Sequence, residues 1–413
     1  MPLRRQRDYR LYWSARTTSL SGSEVSRLAI PLTAATLLAA SPLQMGLLTA
    51  ATTAPQLLIG LHAGAFADRL RRRRPVMVAC ELVAAVAALS VPITWITGLL
   101  TIPWLIGVAL VVGCCATIFK AVDFPHLLTL VPEEQRTEAM AGLNASYSIA
   151  MVAGPGLGGL LVQLLSAPLA VLAETLSFLA SALLLRSIRT PERHTPAATQ
   201  GIGREVVQGL RVALTHPVLR AILGAGASHN FFASIYMAVY TLYALHELEL
   251  PGSVLGFLTA CFGVGGVLGA AVAPRLAKRL SEERLLLYAV FLLPLDFFVV
   301  LLVSGPLAVK IVTLGTATLA TGMTIMVFAT CKNAVTAREA PAEFLGRVQA
   351  TSTFAVTGTL TLGGVVGGVL GELLGLRPAL WICAAGALLS IPWIWFSPLR
   401  EANSSTPCRS TPR

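Results

Sequence analysis

The chain has 413 residues, of which 55% are hydrophobic and only 12% are charged. Ordinary globular proteins carry about 25% charged residues, and a soluble core cannot absorb this apolar excess. The formal net charge of +11 would suit nucleic acid, but the basic residues stand in separate clusters between apolar runs, as they do in membrane proteins. We therefore expect a lipid bilayer, and no nucleic acid, as a partner.

The cysteine pattern indicates neither a disulfide framework nor a metal site, because six of the seven cysteines fall inside apolar runs and no Cys/His ligand spacing occurs. No metal or cofactor is expected. The arginine-rich start lacks the short apolar core of a cleavable signal peptide, so we expect the first apolar run to act as its own insertion signal.

Twelve apolar runs are long enough to cross a bilayer, which takes about twenty residues. We expect an all-α membrane protein whose spans 1 to 12 cover residues 11–39, 43–67, 75–97, 102–130, 138–165, 168–187, 218–245, 252–278, 284–303, 307–335, 343–373 and 377–397.

The basic residues are distributed unequally between the two sides of these spans. About 26 of the 31 Lys and Arg residues fall on the side that holds both chain ends, and this excess marks the cytoplasmic side. We expect a multi-pass protein of the cell membrane (the inner, or plasma, membrane) with both termini in the cytoplasm.

Three landmarks repeat along the chain in the same order. GLHAGAFADRL at 60–70 returns as GVLGAAVAPRL at 266–276, GPGLGG at 154–159 returns as GGVVGG at 363–368, and Pro168 returns as Pro378. The offsets of 206, 209 and 210 predict two pseudo-symmetric six-helix bundles. Such repeats are characteristic of secondary transporters, which bind substrate between the repeats near mid-membrane.

The repeat predicts four regions: a first half at 1–188, a cytoplasmic linker at 189–217, a second half at 218–398 and a cytoplasmic tail at 399–413. Ile202, Val206, Leu210 and Leu214 recur every four residues in the linker. This spacing predicts an amphipathic helix on the inner membrane surface, and a short soluble regulatory segment is the alternative.

The loop after span 2, GAFADRLRRRRP at 64–75, resembles the signature G-x-L-A-D-R-x-G-R-[RK] of the major facilitator superfamily. It departs from that signature at Phe66, which replaces Leu, and at Arg71, which replaces the second Gly. The signature's positions are occupied here by Gly64, Phe66, Ala67, Asp68, Arg69, Arg72 and Arg73.

The resemblance implies that this loop is a cytoplasmic gate. Asp68 would latch the two halves together, docking on the start of span 11 near Phe344, while Arg72 reaches Glu339 or Glu343. The counterpart loop in the second half has no acidic residue. We expect Asp68→Asn to cripple transport and to leave membrane insertion intact.

The stretch GPGLGG in span 5 resembles the motif of drug/proton antiporters in the same superfamily, carried here by Gly154, Pro155, Gly158 and Gly159. Ala109 stands where the Arg-containing motif of span 4 would place its Arg. Longer passages are similar to bacterial macrolide-efflux and enterobactin-export proteins. The resemblance implies a monomeric secondary transporter that exports a small amphipathic compound, such as a drug, antibiotic or secondary metabolite, by proton antiport with alternating access.

Two pairs of charged residues lie deep in spans 1 and 4. Glu24 and Arg27, like Lys120 and Asp123, stand three positions apart and so share a helix face. A charge inside a membrane requires a partner or a function. One interpretation makes Glu24 and Asp123 proton carriers, with Arg27 and Lys120 in the substrate cavity. The alternative is that each pair neutralises itself.

Span 7 carries a polar and aromatic set. His229, Asn230, Tyr236 and Tyr240 are candidate cavity residues, since aromatic faces hold flat or cationic ligands. With the offset of 206, Asn230 is the counterpart of Glu24. Plain packing is the alternative.

Three acidic residues, Glu81, Glu174 and Asp296, lie in spans 3, 6 and 9, which the resemblance places at the periphery of each half. We expect them to be structural partners of neighbouring helices, although Asp296 has no evident partner in the sequence. The glycines of spans 5 and 11 are expected to form smooth seams between helices.

Three other functions compete with export. An importer or facilitator would use the same fold. A membrane enzyme is disfavoured because the chain has no paired Asp-rich motif, His cluster, nucleophile elbow or phosphate loop, so no catalytic residues are assigned. A sensor or scaffold would not require charges within spans 1 and 4.

Overall fold

The computed structural model describes residues 3–192, 210–341 and 345–399. Twelve helical spans, α1 to α12, follow spans 1 to 12 in order. Their bounds are Arg7–Thr36, Pro42–Arg69, Arg74–Ile96, Ile102–Leu130, Arg136–Leu165, Ala167–Arg186, Pro217–His246, Gly252–Leu280, Glu282–Leu292 with Leu295–Leu302, Leu307–Glu339, Leu345–Leu374, and Leu376–Ala387 with Ser390–Trp395.

Local sequence explains where several helices begin. Ser41 caps α2 in a capping box with Gln44, and the Thr101 side chain accepts a hydrogen bond from the N–H of Trp104 at the start of α4. Proline occupies the first turn of α2, α3, α4, α6 and α7, where its missing N–H costs nothing.

Spans 9 and 12 differ from the sequence prediction because each is broken into two helices. Proline explains both breaks, since it removes the hydrogen bond to the carbonyl four residues earlier. Pro294 stands at the junction within α9, and Pro392 follows the junction of α12 at Leu388 and Leu389.

The helices suit a bilayer. Eight of them are long and apolar enough to cross a membrane by length and composition, namely α3, α4, α6, α8, α9, α10, α11 and α12. Large apolar side chains also face outward, with Val86 70% exposed and Leu302 66% exposed. This is the surface expected where lipid replaces water.

The helices form two pseudo-symmetric bundles, α1–α6 and α7–α12, and a helix of the second begins 205 to 210 residues after its counterpart (307 minus 102 for α10; 217 minus 7 for α7). The bundles meet mainly where α2 packs on α11 and α5 packs on α8. The end of the molecule where α1 begins and α12 ends is called the terminal end below.

Candidate functional site

The GPGLGG stretch of α5 brings three helices together. A Cβ at Gly154 would overlap the Cβ of Glu24, and one at Gly158 would lie 3.2 Å from the Cα of Val25, both on α1. A Cβ at Gly159 would lie 3.1 Å from the Cα of Gly256, on α8 of the other bundle. The motif therefore packs α5 tightly against α1 and against the second bundle. The side chain of Pro155 lies outside the described part.

The GGVVGG stretch of α11 repeats this arrangement. A Cβ at Gly363 would overlap the carbonyl oxygen of Phe231 on α7, and one at Gly367 would lie 2.7 Å from the Cα of Ile235. A Cβ at Gly368 would lie 2.9 Å from the Cα of Gly46, on α2 of the first bundle. In the first motif, Gly154 and Gly158 face their own bundle and Gly159 faces the other; in the second, Gly363 and Gly367 face their own bundle, and Gly364 and Gly368 face the other.

This correspondence corrects one prediction. The Cβ of Ser234 lies against Gly363 as Glu24 lies against Gly154, so Ser234 and not Asn230 is the counterpart of Glu24. The error is one helical turn, because the offset between α1 and α7 is 210 (217 minus 7) and not 206. Asn230 donates its side-chain amide to the carbonyl of Gly226 in its own helix, at 2.7 Å.

The end opposite the terminal end is closed by contacts between the bundles. The N–H of Leu43 donates to a carboxylate oxygen of Glu372 at 3.2 Å. Deeper along the same seam, the hydroxyls of Thr53 and Thr361 are 2.9 Å apart. The α2–α11 contact thus extends from the start of α2 to about its middle.

At the terminal end, the described ion pairs each join residues of one bundle. Arg338 contacts Glu283 at 2.6 Å, and Glu339 lies 3.1 Å from Arg338 and 3.9 Å from His216. The exposed Arg72 does not pair with Glu339 here. Gly64 leaves open space where a Cβ would stand, and Arg73 is buried. The side chains of Asp68 and Arg69 and all of Glu343 and Phe344 lie outside the described part.

The start of the predicted linker is fastened to the first bundle. Glu192 accepts hydrogen bonds from the N–H groups of Arg73 and Arg74 at 2.5 and 2.6 Å and lies 3.0 Å from His126 Nδ1. Burial raises the pKa of Glu192, but hydrogen bonds from His126 and the two N–H groups outweigh burial and hold the pKa below its usual value. Asp8 binds the N–H and hydroxyl of Thr190 in the same way. Residues 193–209 of the linker lie outside the described part.

Asp123 has a different partner from the one its spacing suggests. Its carboxylate lies 3.1 Å from Nε of Arg16 and accepts a 2.7 Å hydrogen bond from the Tyr12 hydroxyl, both on α1. Lys120 is exposed instead. The Arg16 guanidinium also lies 4.9 Å from the ring centre of Phe119, within cation–π range. The sequence offered one signal for Arg16: it is charged, nine residues into α1, and one turn after Tyr12.

Glu24 pairs with Arg27 at 3.2 Å, as the spacing predicts. The carboxylate is buried against α5, whereas the Arg27 side chain is 50% exposed. The pair therefore combines a fixed acid with an accessible cation.

On α3, Glu81 accepts hydrogen bonds from Ser181 at 2.9 Å and Ser19 at 3.4 Å. These are the contacts expected of a structural partner.

The candidate residues of α7 form an aromatic cluster with α9. Tyr236 stacks on Tyr240 with ring centres 4.7 Å apart and lies 4.8 Å from Phe297. His229 also stacks on Phe297, with ring centres 6.1 Å apart. Asp296, next to Phe297, faces the two tyrosines. This arrangement joins the predicted cavity residues to an acid that the sequence placed at the periphery.

Comparison with known proteins agrees with this architecture. The profile of the transmembrane secretion effector family matches residues 1–412. The chain is 26% identical over 296 residues to the multidrug efflux pump Tap of Mycolicibacterium fortuitum, covering 65% of this chain and 71% of Tap. It is 26% identical over 391 residues to a putative sugar efflux transporter of Deinococcus radiodurans, covering 90% and 92%.

Solved structures share the fold. A bacterial homologue of the iron transporter ferroportin in its inward-facing state superposes with a TM-score of 0.76 at 17% identity, covering 96% of this chain and 99% of that one. In its outward-facing state the same coverage gives a TM-score of 0.61. Profile, relatives and fold lead to one conclusion: the chain belongs to the transmembrane secretion effector family of the major facilitator superfamily and is a multi-pass membrane transporter.

Proposed function

We propose that the chain exports a small amphipathic compound across the cell membrane by proton antiport, and that the structure is its inward-open state. The observation that carries the proposal is the Glu24–Arg27 pair, packed on Gly154 of the antiporter-like motif. A proton arriving at Glu24 would release Arg27, and Arg27 would hold Glu24 ionised once the proton leaves. Coupling transport to protons requires at least one acidic group that is protonated in one state of the transporter and ionised in the other.

The two ends of the molecule support the assignment of the inward-open state. The bundles are sealed at the end opposite the chain termini by the α2–α11 and α5–α8 contacts. The excess of basic residues favours a cytoplasmic terminal end, where Glu339 pairs with Arg338 and His216 rather than with Arg72. The higher TM-score against the inward-facing homologue agrees. The Asp68 latch is proposed to close in the opposite, outward-open state.

The direction of transport rests on the relatives, two of which are efflux proteins by name. Their names suggest two classes of compound, an amphipathic drug and a sugar. Arg27, with its 50% exposed side chain beside Glu24, suits the polar part of an amphipathic molecule, whereas Tyr236 and Tyr240 are packed in the second bundle. An importer on the same fold is the alternative that the test below addresses.

The test uses proteoliposomes with an acidic lumen that contains a pH-sensitive dye. Ethidium represents flat amphipathic compounds and lactose represents sugars. Because antiport is reversible, protein in either orientation exchanges an external compound for luminal protons, so the lumen becomes less acidic when a substrate is added. We expect ethidium to do this in the wild type and in Glu134→Gln, whose glutamate is exposed in the α4–α5 loop.

Glu24→Gln is expected to lower the ethidium-driven proton flux at least tenfold, which corresponds to about 1.4 kcal/mol. Undiminished flux in both Glu24→Gln and Asp123→Asn would overturn the proton-coupling proposal. Movement of compound and protons in the same direction would establish an importer instead.

A further inference from the structure

Asp296 stands at an unusual place in the second bundle. It is the second residue of the helix Leu295–Leu302, directly after the break in α9. Fourteen residues separate it from Glu282, about 21 Å along the helix, so it lies within the bilayer and nearer the closed end. A carboxylate at this depth is costly unless something compensates its charge.

Four other acids deep inside the described spans each have a cation or hydroxyl groups beside them. These partners are Arg16 and Tyr12 for Asp123, Arg27 for Glu24, Ser19 and Ser181 for Glu81, and Ser23 and Ser26 for Glu174. Asp296 differs. No ion pair and no side-chain hydrogen bond to Asp296 occurs within the described ranges 3–192, 210–341 and 345–399, and its Oδ1 is buried without a hydrogen bond, as is one carboxylate oxygen of Glu24 and of Glu174.

The titratable groups around Asp296 do not supply a counter-charge. From α7, the side chains of Tyr236 and Tyr240 lie within electrostatic range of it, and His229 of the same helix stacks on the neighbouring Phe297. From α12 the Cys383 thiol lies near Tyr236. Two basic residues of the neighbouring helices are engaged elsewhere: Lys310 Nζ on α10 donates to the carbonyl of Leu248 at 3.0 Å, and Arg377 on α12 lies toward Tyr243.

The cluster is also tightly packed. Tyr236 and Phe297 belong to the buried core of the second bundle, and the two tyrosine rings are 4.7 Å apart. A proton requires no space, whereas an organic cation or hydrated metal ion does. A proton is therefore the cation that the site accommodates as it stands.

We infer that Asp296 is a second proton-binding site of the transporter, binding one proton on its carboxylate as a neutral acid and releasing it as the carboxylate becomes charged. This rests on the proposed proton antiport. Tyr236 and Tyr240 lie beside Asp296 and supply no counter-charge. The site acts on gating through α7, because Phe231 and Ile235 of that helix pack on the glycine seam of α11.

The direct test is pH-difference infrared spectroscopy of the protein in lipid, which detects the C=O stretch of a protonated carboxyl group. We expect a pH-dependent carboxyl band in the wild type and in Glu134→Gln that is lost in Asp296→Asn. Asp296→Glu should keep the band at a shifted frequency, which controls for misfolding. Identical carboxyl bands in the wild type and Asp296→Asn would overturn the inference.

The dye-loaded proteoliposomes give the functional half of the test. With ethidium as the probe, Asp296→Asn should lower proton flux at least tenfold while Asp296→Glu retains it. Unchanged flux would overturn the coupling role of Asp296. If wild-type protein moves no protons with any compound, the antiport proposal fails, whereas the infrared result still decides whether Asp296 binds a proton.

Discussion

The two bundles share one backbone design but differ in the chemistry they place on it. In each, a six-residue glycine stretch packs one helix against its own bundle and against the other. At the equivalent position beside the first glycine, the first bundle has Glu24 and the second has Ser234. Deep in the membrane, the first bundle pairs acids with cations, as Asp123 with Arg16 and Glu24 with Arg27, whereas the second places Asp296, which has no described ion pair, beside aromatic rings.

This difference separates what the fold requires from what transport requires. The glycines recur because the seams recur, so they report on packing and on the rocking of the bundles. The charges do not recur, so packing alone does not explain them. We therefore propose that proton coupling depends on the asymmetric residues and gating on the symmetric ones.

The largest expected effect comes from breaking the charge pairing of the first bundle. Asp123→Asn or Arg16→Met should each destabilise the protein by about 3 kcal/mol, the lower end for a buried pair, because the Asp123 and Arg16 side chains are 14% and 19% exposed and each change leaves one charge without its partner. The double variant should recover most of that loss. Thermal unfolding in detergent measures all three, and a double variant as unstable as the sum of the singles would show that the pair is not energetically coupled.

The second prediction compares the two seams. Alanine at Gly154 or Gly363 should cost roughly 1–3 kcal/mol from overpacking, with the larger loss at Gly363, where the obstacle is the Phe231 backbone rather than the Glu24 side chain. Gly107→Ala is the matched control on α4, because a Cβ there meets nothing within 4 Å. If all three variants were equally stable, close packing at Gly154 and Gly363 would not contribute to stability.

The third prediction concerns the fastening of the linker, a feature described only for the first bundle. Glu192→Gln replaces hydrogen bonds to a charged acceptor with weaker neutral ones, a loss of about 1 kcal/mol. Amide exchange at Arg73 and Arg74 should rise roughly fivefold in this variant. Because the folded pKa of Glu192 is lowered, its stabilisation is present above the unfolded pKa and is lost as pH falls through the folded one.

Hydrogen-exchange mass spectrometry tests this pH dependence. The difference between the wild type and Glu192→Gln should be full near neutral pH and should shrink as the pH falls below the usual range of a glutamate. A difference that stays constant into that acidic range would contradict the assigned role of the carboxylate.

The smallest expected effect is at the contact between the bundles. Thr53→Val removes the 2.9 Å hydroxyl contact with Thr361, which is worth about 0.5–1.5 kcal/mol. Opening of the closed end should become a few-fold more frequent. A cysteine placed at Leu57, which packs on Gly358, should then react faster with a thiol reagent. Labelling at the wild-type rate would mean that this hydroxyl pair does not hold the bundles together.

The sequence predicted much of this molecule for identifiable reasons. Span length, the basic loops and the repeat follow from local composition, and the structure confirms the all-helical, two-bundle fold. The Glu24–Arg27 contact was predictable because neighbours three apart share a helix face. The partnership of Arg16 with Asp123 was not, since it joins residues 107 positions apart (123 minus 16) and depends on how α1 meets α4.

The same limit explains the other differences. Glu192 lies in a polar stretch whose composition suggests only solvent exposure, and its contact with His126 requires knowing where the chain turns after α6. Asp296 was placed at the periphery by the helix that carries it, but the break at Pro294 and the aromatic residues of α7 define its surroundings. Ser234, and not Asn230, is the counterpart of Glu24, because the register of the repeat follows the offset between the helices and not the offset between loop motifs.

The most direct test of alternating access measures distances between the bundles at both ends of the molecule. Spin labels at 134 and 278 report on the terminal end, and labels at 99 and 247 report on the closed end; all four positions are exposed. If proton binding drives alternating access, the distance at one end lengthens and the distance at the other end shortens between neutral and acidic pH. Glu24→Gln is expected to abolish both changes. Two distances that stay fixed, or that change in the same direction, would contradict this mechanism.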